Sequence, residues 1–223
     1  MTRILTTICC ALALWALTAT AARADAKLYA RSSVLAEGRW VKVRVADDGI
    51  YKLTYDQLRA MGFADPAKVS VHGYGGYILD EDFSHGGYVD DLPATPVYRG
   101  ADYILFYGRG PIKWTYDRKA GTFTHEVNPY ATHGYYFVTD ATPTADAGTT
   151  SADVTTARDV TVFDDHLLHE VDREFLQKLG QTGSGRDLFG ESFSSTLSQT
   201  FPFSVPGITG EEGKVTLRFV AYT

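Results

Sequence analysis

The sequence predicts a mainly β protein. We expect an antiparallel, β-rich N-terminal domain with one short helix, followed by the start of a second, β-sandwich-like domain. Three observations carry this. The run Tyr103–Tyr107 is apolar or aromatic throughout, is too short for a helix, and is bracketed by Gly100 and Gly108. Several other stretches alternate apolar and polar residues with period two, as half-buried strands do. Aromatics make up 13% of the chain, with 14 Tyr and 12 Phe, and such side chains suit pleated surfaces better than helix bundles.

Taken in order, Arg39–Val45 places Val41, Val43 and Val45 on one face and Trp40, Lys42 and Arg44 on the other. Asp47-Asp48-Gly49 is a turn signal, so Ile50–Leu53 is expected to return as the second arm of a hairpin. Thr54 and Gln57 have the spacing of a capping box, with Leu53 and Leu58 placed as a hydrophobic staple. Gly62 stops this helix after about two turns. Ala64-Asp65-Pro66 reads as a loop and Val69–His72 as a short strand. Gly73–Tyr77 is rich in glycine, but no helix pattern follows it. It is therefore read as a turn between strands, not as a phosphate cradle. Leu92–Pro96 is extended, linker-like chain.

The unbroken apolar character of Tyr103–Tyr107 predicts a strand buried on both faces, around which the other strands assemble. Pro111 lacks a ladder donor and ends it. Ile112–Tyr116 then starts another strand, with Trp114 and Tyr116 on one face. Asp117–Gly121 is a hairpin loop, and Thr122–Glu126 pairs back with Phe123 and His125 together. Tyr135–Thr139 is a further buried-type strand.

Ala141–Ala157 has no apolar periodicity and reads as linker or exposed loop. The expected domains are therefore 25–140 and 159–223, joined by 141–158. In the second, Val160–Phe163 reads as a strand, and Asp165–Leu179 has helical spacing at Leu167, Leu168, Val171, Phe175 and Leu179. Gln181–Phe193 is glycine-punctuated loop. Ser198–Val205 and Val215–Tyr222 alternate as sandwich strands do. The last of these runs to Thr223 with no closing turn, so we expect further chain beyond it.

Residues 1–24 have the three parts of a secretory signal: Arg3, an apolar run Ile4–Ala19, and Ala22-Arg23-Ala24 before the cut. The run is too short for a membrane anchor. Cys9 and Cys10 lie inside it, away from the cleavage edge where lipidation needs one. The leader takes with it both cysteines of the chain and makes the net charge of −6 more negative still. The exported part then has no disulfide, no thiolate metal site and no cysteine nucleophile. Its acidic balance argues against nucleic acid and anionic membranes as partners.

No catalytic, cofactor-binding or metal-ligating residue is assigned. His166 and His169 are three apart beside Asp164, Asp165 and Glu170, a spacing that on a helix offers two ligands, but no third is evident. Asp80-Glu81-Asp82 and Asp90-Asp91 flank His85 without the ligand alternation of a calcium loop. Ser192 lacks the flanks of a nucleophile elbow. His72, His125 and His133 stand apart from any motif. Trp40, Trp114, Tyr74 and Tyr77 are the residues that a self-standing carbohydrate- or protein-binding module would use as a stacking platform, with core or turn aromatics as the alternative.

The ordered motifs RWVKVRVADDGIYKLTYDQLRAMGF, VSVHGYGGYIL, DDLPATPVYRGADYILFYGRGPIKWTYD, NPYATHGYYFVTD and SGRDLFGESFS run from about Ser33 to the end. Together they resemble the N-terminal region of the type IX secretion sortases of Bacteroidetes, a family related to the gingipain cysteine peptidases. The resemblance implies a β-rich region ahead of a caspase-like peptidase domain that holds the catalytic Cys and His. No position here matches those two residues. It further implies a full-length protein that removes C-terminal signal domains from secreted cargo and helps attach the cargo to the cell surface. Its partners would be cargo and other secretion components. Its place would be the periplasm, outer membrane or cell surface.

Overall fold

The computed structural model describes residues 30–82, 89–149, 159, 161–176, 185, 187–210 and 213–221. The stretch 1–24 expected as a signal sequence and His85 lie outside the described residues. The chain divides into two compact units, 1–159 and 160–223.

Among the described residues the first unit holds nine strands and one α-helix in the order β1 (Val41–Val45), β2 (Gly49–Thr54), α1 (Tyr55–Ala60), β3 (Ser70–Gly75), β4 (Ala94–Thr95), β5 (Val97–Arg99), β6 (Tyr103–Gly108), β7 (Ile112–Asp117), β8 (Thr122–Val127) and β9 (Gly134–Thr139). The strands form a four-stranded sheet β1-β9-β3-β4, a three-stranded sheet β2-β6-β5 and the hairpin β7-β8. Every one of these strand pairs is antiparallel.

The two larger sheets share one core. Val45, Val71, Tyr136 and Val138 come from the first, Leu53, Val97, Ile104 and Phe106 from the second, and Leu58 and Phe63 close the cluster. Phe106 spans the layer, with its ring 5.2 Å from that of Tyr136 and 5.8 Å from that of Tyr51. Burial of these side chains is the main favourable contribution to the fold, at about 1.5–3 kcal/mol for each fully buried large aliphatic or aromatic residue.

The capping box forms as its spacing requires. Gln57 N–H donates to Thr54 Oγ1 at 3.2 Å, and Thr54 N–H to Gln57 Oε1 at 2.8 Å. Leu53 and Leu58 both enter the core cluster, which seats the helix on it.

Three expectations change. The hairpin expected from Val41–Leu53 does not form: β1 pairs with β9 and β2 with β6, so Asp47-Asp48 is a corner between sheets. The Tyr51 hydroxyl locks that corner, accepting from Ala46 N–H at 3.1 Å and Asp47 N–H at 3.2 Å and donating to Asp47 O at 2.9 Å. β6 is the middle strand of its sheet but is buried on one face only: Ile104 and Phe106 point into the core, while Tyr107 is 48% exposed. The glycine stretch does not turn at once. β3 runs on to Gly75, whose φ of +82° accommodates a register shift against β9.

At its far edge β5 is covered by the chain itself. Val97 N–H donates to Ala145 O and Ala147 N–H to Val97 O, both at 2.8 Å, and Arg99 Nε meets Asp146 Oδ1 at 3.1 Å. Residues 145–147, within the stretch expected as linker or exposed loop, thus lie against β5.

In the second unit the described residues contain one antiparallel bridge, Glu174 with Phe189. No helix forms over 165–176. The Glu174 N–H and carbonyl bond across to Phe189 at 2.7 and 2.8 Å, which takes these groups from a helical ladder. The described residues within Ser198–Val205 and Val215–Tyr222 carry no ladder, and Val215, Leu217 and Phe219 stand exposed. Alternation marks a face to be buried; a strand also needs a neighbour in register, and the described residues supply none.

Candidate functional site

Among the described residues of the first unit, two polar clusters and a cleft are places where chemistry or binding would be sought. The first cluster gathers on Asp48 at the β1–β2 corner. Its carboxylate accepts from Gly110 N–H at 2.8 Å and from the Tyr77 hydroxyl. Gly76 N–H donates to Arg109 O at 2.9 Å, Asn128 Nδ2 donates to Gly76 O at 2.8 Å, and Arg109 N–H donates to the Tyr136 hydroxyl at 3.1 Å. The loops meet closely: a Cβ on Gly76 would stand 2.7 Å from the Gly110 carbonyl oxygen. Burial, followed by the hydrogen bond to Asp48, raises the Tyr77 phenol far above its ordinary value. Burial, followed by the Asp48 charge, also raises that of Tyr107. Both remain neutral donors at physiological pH, as joints between loops require; a phenolate base they are not.

The second cluster has the residue types of a hydrolase triad without its geometry. Ser70 Oγ lies 3.3 Å from His72 Nε2, and Asp91 is close enough to act on His72 through its charge. Ser70 is fully buried, with its hydroxyl 2.7 Å from Thr142 Oγ1 and donating to Thr139 O at 3.3 Å. His72 Nε2 lies 2.9 Å from Thr142 Oγ1, and Trp40 covers the ring edge-on at 5.3 Å. A serine with no exposed surface offers no path to a substrate. Burial, partly opposed by the Leu92 backbone and the Asp91 charge, lowers the His72 pKa, so the imidazole is held neutral. Asp91 is engaged elsewhere. Burial works to raise its pKa, but hydrogen bonds from Leu92 N–H, Val34 N–H and the Ser33 hydroxyl outweigh this and hold the carboxyl below its usual range.

The cleft, of about 280 Å³, is lined by Thr54, Tyr55, Asp56, Arg59, Ala101 and Asp102. Of its three charged side chains two pair with each other, Arg59 Nη1 standing 2.9 Å from Asp56 Oδ1.

The residues weighed from sequence are dispersed. His169 Nε2 meets Glu191 Oε1 at 2.9 Å, and this bond holds the Glu191 carboxyl below its usual range. Without a helix, His166 and His169 lose the shared face that the metal reading needed. Ser192 Oγ donates to Ser194 Oγ at 3.2 Å. Asp90 binds the Ala30 N–H, and Asp80 accepts from Asp82 N–H at 2.9 Å. Among the described residues no group of three His, Cys, Asp or Glu is placed to hold a metal. Trp40 donates to Glu37 O, Tyr74 to Asp91 O and Tyr77 to Asp48, while Trp114 packs against Phe123 and His125 in the β7–β8 hairpin. Each aromatic serves a separate joint, and the four make no common platform.

Sequence reasoning missed the outer face of the β2-β6-β5 sheet. Register sets Ile50 opposite Tyr107, Lys52 opposite Leu105, and Leu105 opposite Tyr98. Ile50 is 67% exposed, and Tyr98 and Tyr107 are nearly half exposed. The signal lay in the alternation of Gly49–Thr54, in which Ile50 and Lys52 oppose Tyr51 and Leu53.

Fold and sites together define a β-sandwich module whose polar clusters join loops. No helix among the described residues is long and apolar enough to cross a membrane. The chain matches no family model and no curated protein sequence. Among solved structures it is similar to dimeric latent PorU from Porphyromonas gingivalis, with a TM-score of 0.56 and 41% identity over 75% of this chain and 15% of that one. Over three quarters of its length this chain is accordingly PorU-like, and it spans about 15% of the length of that relative.

Proposed function

We propose that this chain is the non-catalytic N-terminal region of a PorU-type sortase of the type IX secretion system. It would be exported by the leader 1–24 and act as the structural front end of a longer cysteine peptidase. The single observation that carries the reading is the 41% identity to PorU over three quarters of the chain, at a TM-score above 0.5. The arrangement of the polar groups agrees with it. Asp48, His72, Asp91 and the buried Ser70 are spent on joining loops and strands. On this reading the sortase chemistry, the recognition of cargo C-terminal signal domains and attachment to the cell surface belong to the full-length protein. Its partners would be cargo and other secretion components at the outer membrane.

The test is a segment exchange. The part of Porphyromonas gingivalis PorU that aligns with this chain is replaced by the chain's own residues, and removal of cargo signal domains is followed in cells lacking native PorU. The reading predicts processing close to that of the parent. A chimera that is exported and folded but leaves cargo unprocessed would count against it.

A further inference from the structure

After β9, residues 140–147 cross from one sheet of the first unit to the other, and they are fastened at both ends. At the inner end Thr142 Oγ1 lies 2.7 Å from Ser70 Oγ and 2.9 Å from His72 Nε2, both on β3. At the outer end Val97 N–H donates to Ala145 O, Ala147 N–H donates to Val97 O, and Arg99 Nε meets Asp146 Oδ1 at 3.1 Å. Arg99 Nη2 also donates to Val69 O at 2.8 Å, so the outer fastening reaches back to the residue before β3. The segment is a strap between the sheets, held at two places.

The inner fastening includes a titratable ring. His72 is 4% exposed. β4 and β9 pair with β3 at His72 itself, Trp40 stands edge-on at 5.3 Å, and Thr142 completes the cover. The two strands are locked by backbone ladders, and Trp40 is tied by its indole N–H to Glu37 O at 2.8 Å. Thr142 is held here through a side-chain hydroxyl, so it is the cover that moves most cheaply.

The charges around the ring do little to hold a proton there. Asp91 acts on it through its charge, but its oxygens already accept from Leu92 N–H, Val34 N–H and the Ser33 hydroxyl. Its neighbour Asp90 binds the Ala30 N–H. Tyr74, further along β3, is a neutral phenol that donates to Asp91 O. On the β1 side, Lys42 is turned over the Tyr135 ring at 3.7 Å, Arg39 donates to Gly62 O, and Glu37 is exposed. On the strap, Asp140 is exposed and Asp146 is paired with Arg99. β4, Ala94–Thr95, carries no charge. A buried imidazolium loses its hydration, and uncovering the ring restores it.

We propose that residues 140–147 open from the first unit as one piece, and that a proton on His72 drives the opening. With the ring neutral, Thr142 rests on β3 and residues 145–147 lie along β5. With the ring charged, Thr142 lifts away and admits water. Ala145 is three residues further on, and Pro143 between them has a fixed φ, so the shift carries to the outer end. The edge of β5 at Val97 is then uncovered while the two sheets stay together.

The test follows amide exchange of the full chain, residue by residue, at about pH 7.5 and about pH 5.5, corrected for the chemical pH dependence of exchange. Val97 and Ala147 N–H report on the strap, and the β2–β6 ladder reports on global unfolding. The strap amides are expected to exchange faster than the ladder at both pH values. Their open fraction is expected to rise up to about tenfold on acidification, the limit for one imidazole that titrates near 6.5 once exposed. His72→Asn removes that rise, and His72→Gln serves if the first variant does not fold. Three results overturn the proposal: strap amides that exchange only as slowly as the ladder, an open fraction equal at the two pH values, or a rise that persists in the folded histidine variant.

Discussion

The carboxylate of Asp48 accepts a hydrogen bond from Gly110 N–H at 2.8 Å, tying the corner between β1 and β2 to the corner between β6 and β7. Because β1 and β2 belong to different sheets, this bond and the Tyr77 bond to the same carboxylate fix how the two layers are joined. Asp48→Ala leaves a part-buried N–H without its acceptor, and is expected to cost about 1–3 kcal/mol. Asp48→Asn keeps one acceptor and is expected to cost less. Thermal melts of the two variants beside the parent check both the loss and its order.

Phe106 packs with aromatic partners from both sheets, Tyr51 and Tyr136. Its removal opens a cavity between the layers. Phe106→Ala is expected to destabilise the first unit by about 3–5 kcal/mol, and Leu58→Ala, at the helix seat, by about 2–5 kcal/mol. Denaturant titration measures both; a loss under ~1 kcal/mol for Phe106→Ala would mean that the sheets do not share this core.

The capping box makes a smaller prediction. Thr54→Ala removes the acceptor of Gln57 N–H and is expected to cost about 1 kcal/mol. Thr54→Ser keeps the oxygen and is expected to restore most of that stability, which a melting curve resolves.

His72 predicts acid sensitivity. Its folded pKa lies below the ordinary 6.5 because burial disfavours the imidazolium. The unfolded chain therefore binds the proton more tightly, and acid favours unfolding. The contribution is intact above the unfolded pKa of about 6.5, declines as pH falls below it, and is fully lost beneath the lowered folded value. Melting temperature against pH is expected to fall below neutrality, and His72→Asn is expected to flatten that fall even where it lowers stability at pH 8.

Much of this fold could be read from residue order alone. Tyr103–Tyr107 announced a strand at the centre of a sheet, and Thr54 with Gln57 announced the helix start, because both signals are local. Strand partners were harder. Asp47-Asp48-Gly49 is equally good as a hairpin turn or as a corner, and the choice fell to β9, a distant strand that takes the place beside β1. The same limit hid the cover on β5. Which strand edges are covered depends on which neighbours the rest of the chain provides, and residues 145–147 look like linker until they are seen against Val97. Leu167, Leu168, Val171 and Phe175 had the spacing of a helix, but period alone does not say where backbone groups bond, and Glu174 bonds to Phe189.

The most direct test of the central claim, that this chain supplies architecture while the chemistry resides elsewhere in the longer protein, is a cleavage assay. Purified residues 25–223 are incubated with a cargo protein carrying its C-terminal signal domain, and the release of that domain is measured. The account predicts release no faster than in buffer alone. Release that copurifies with the chain through successive columns would contradict it.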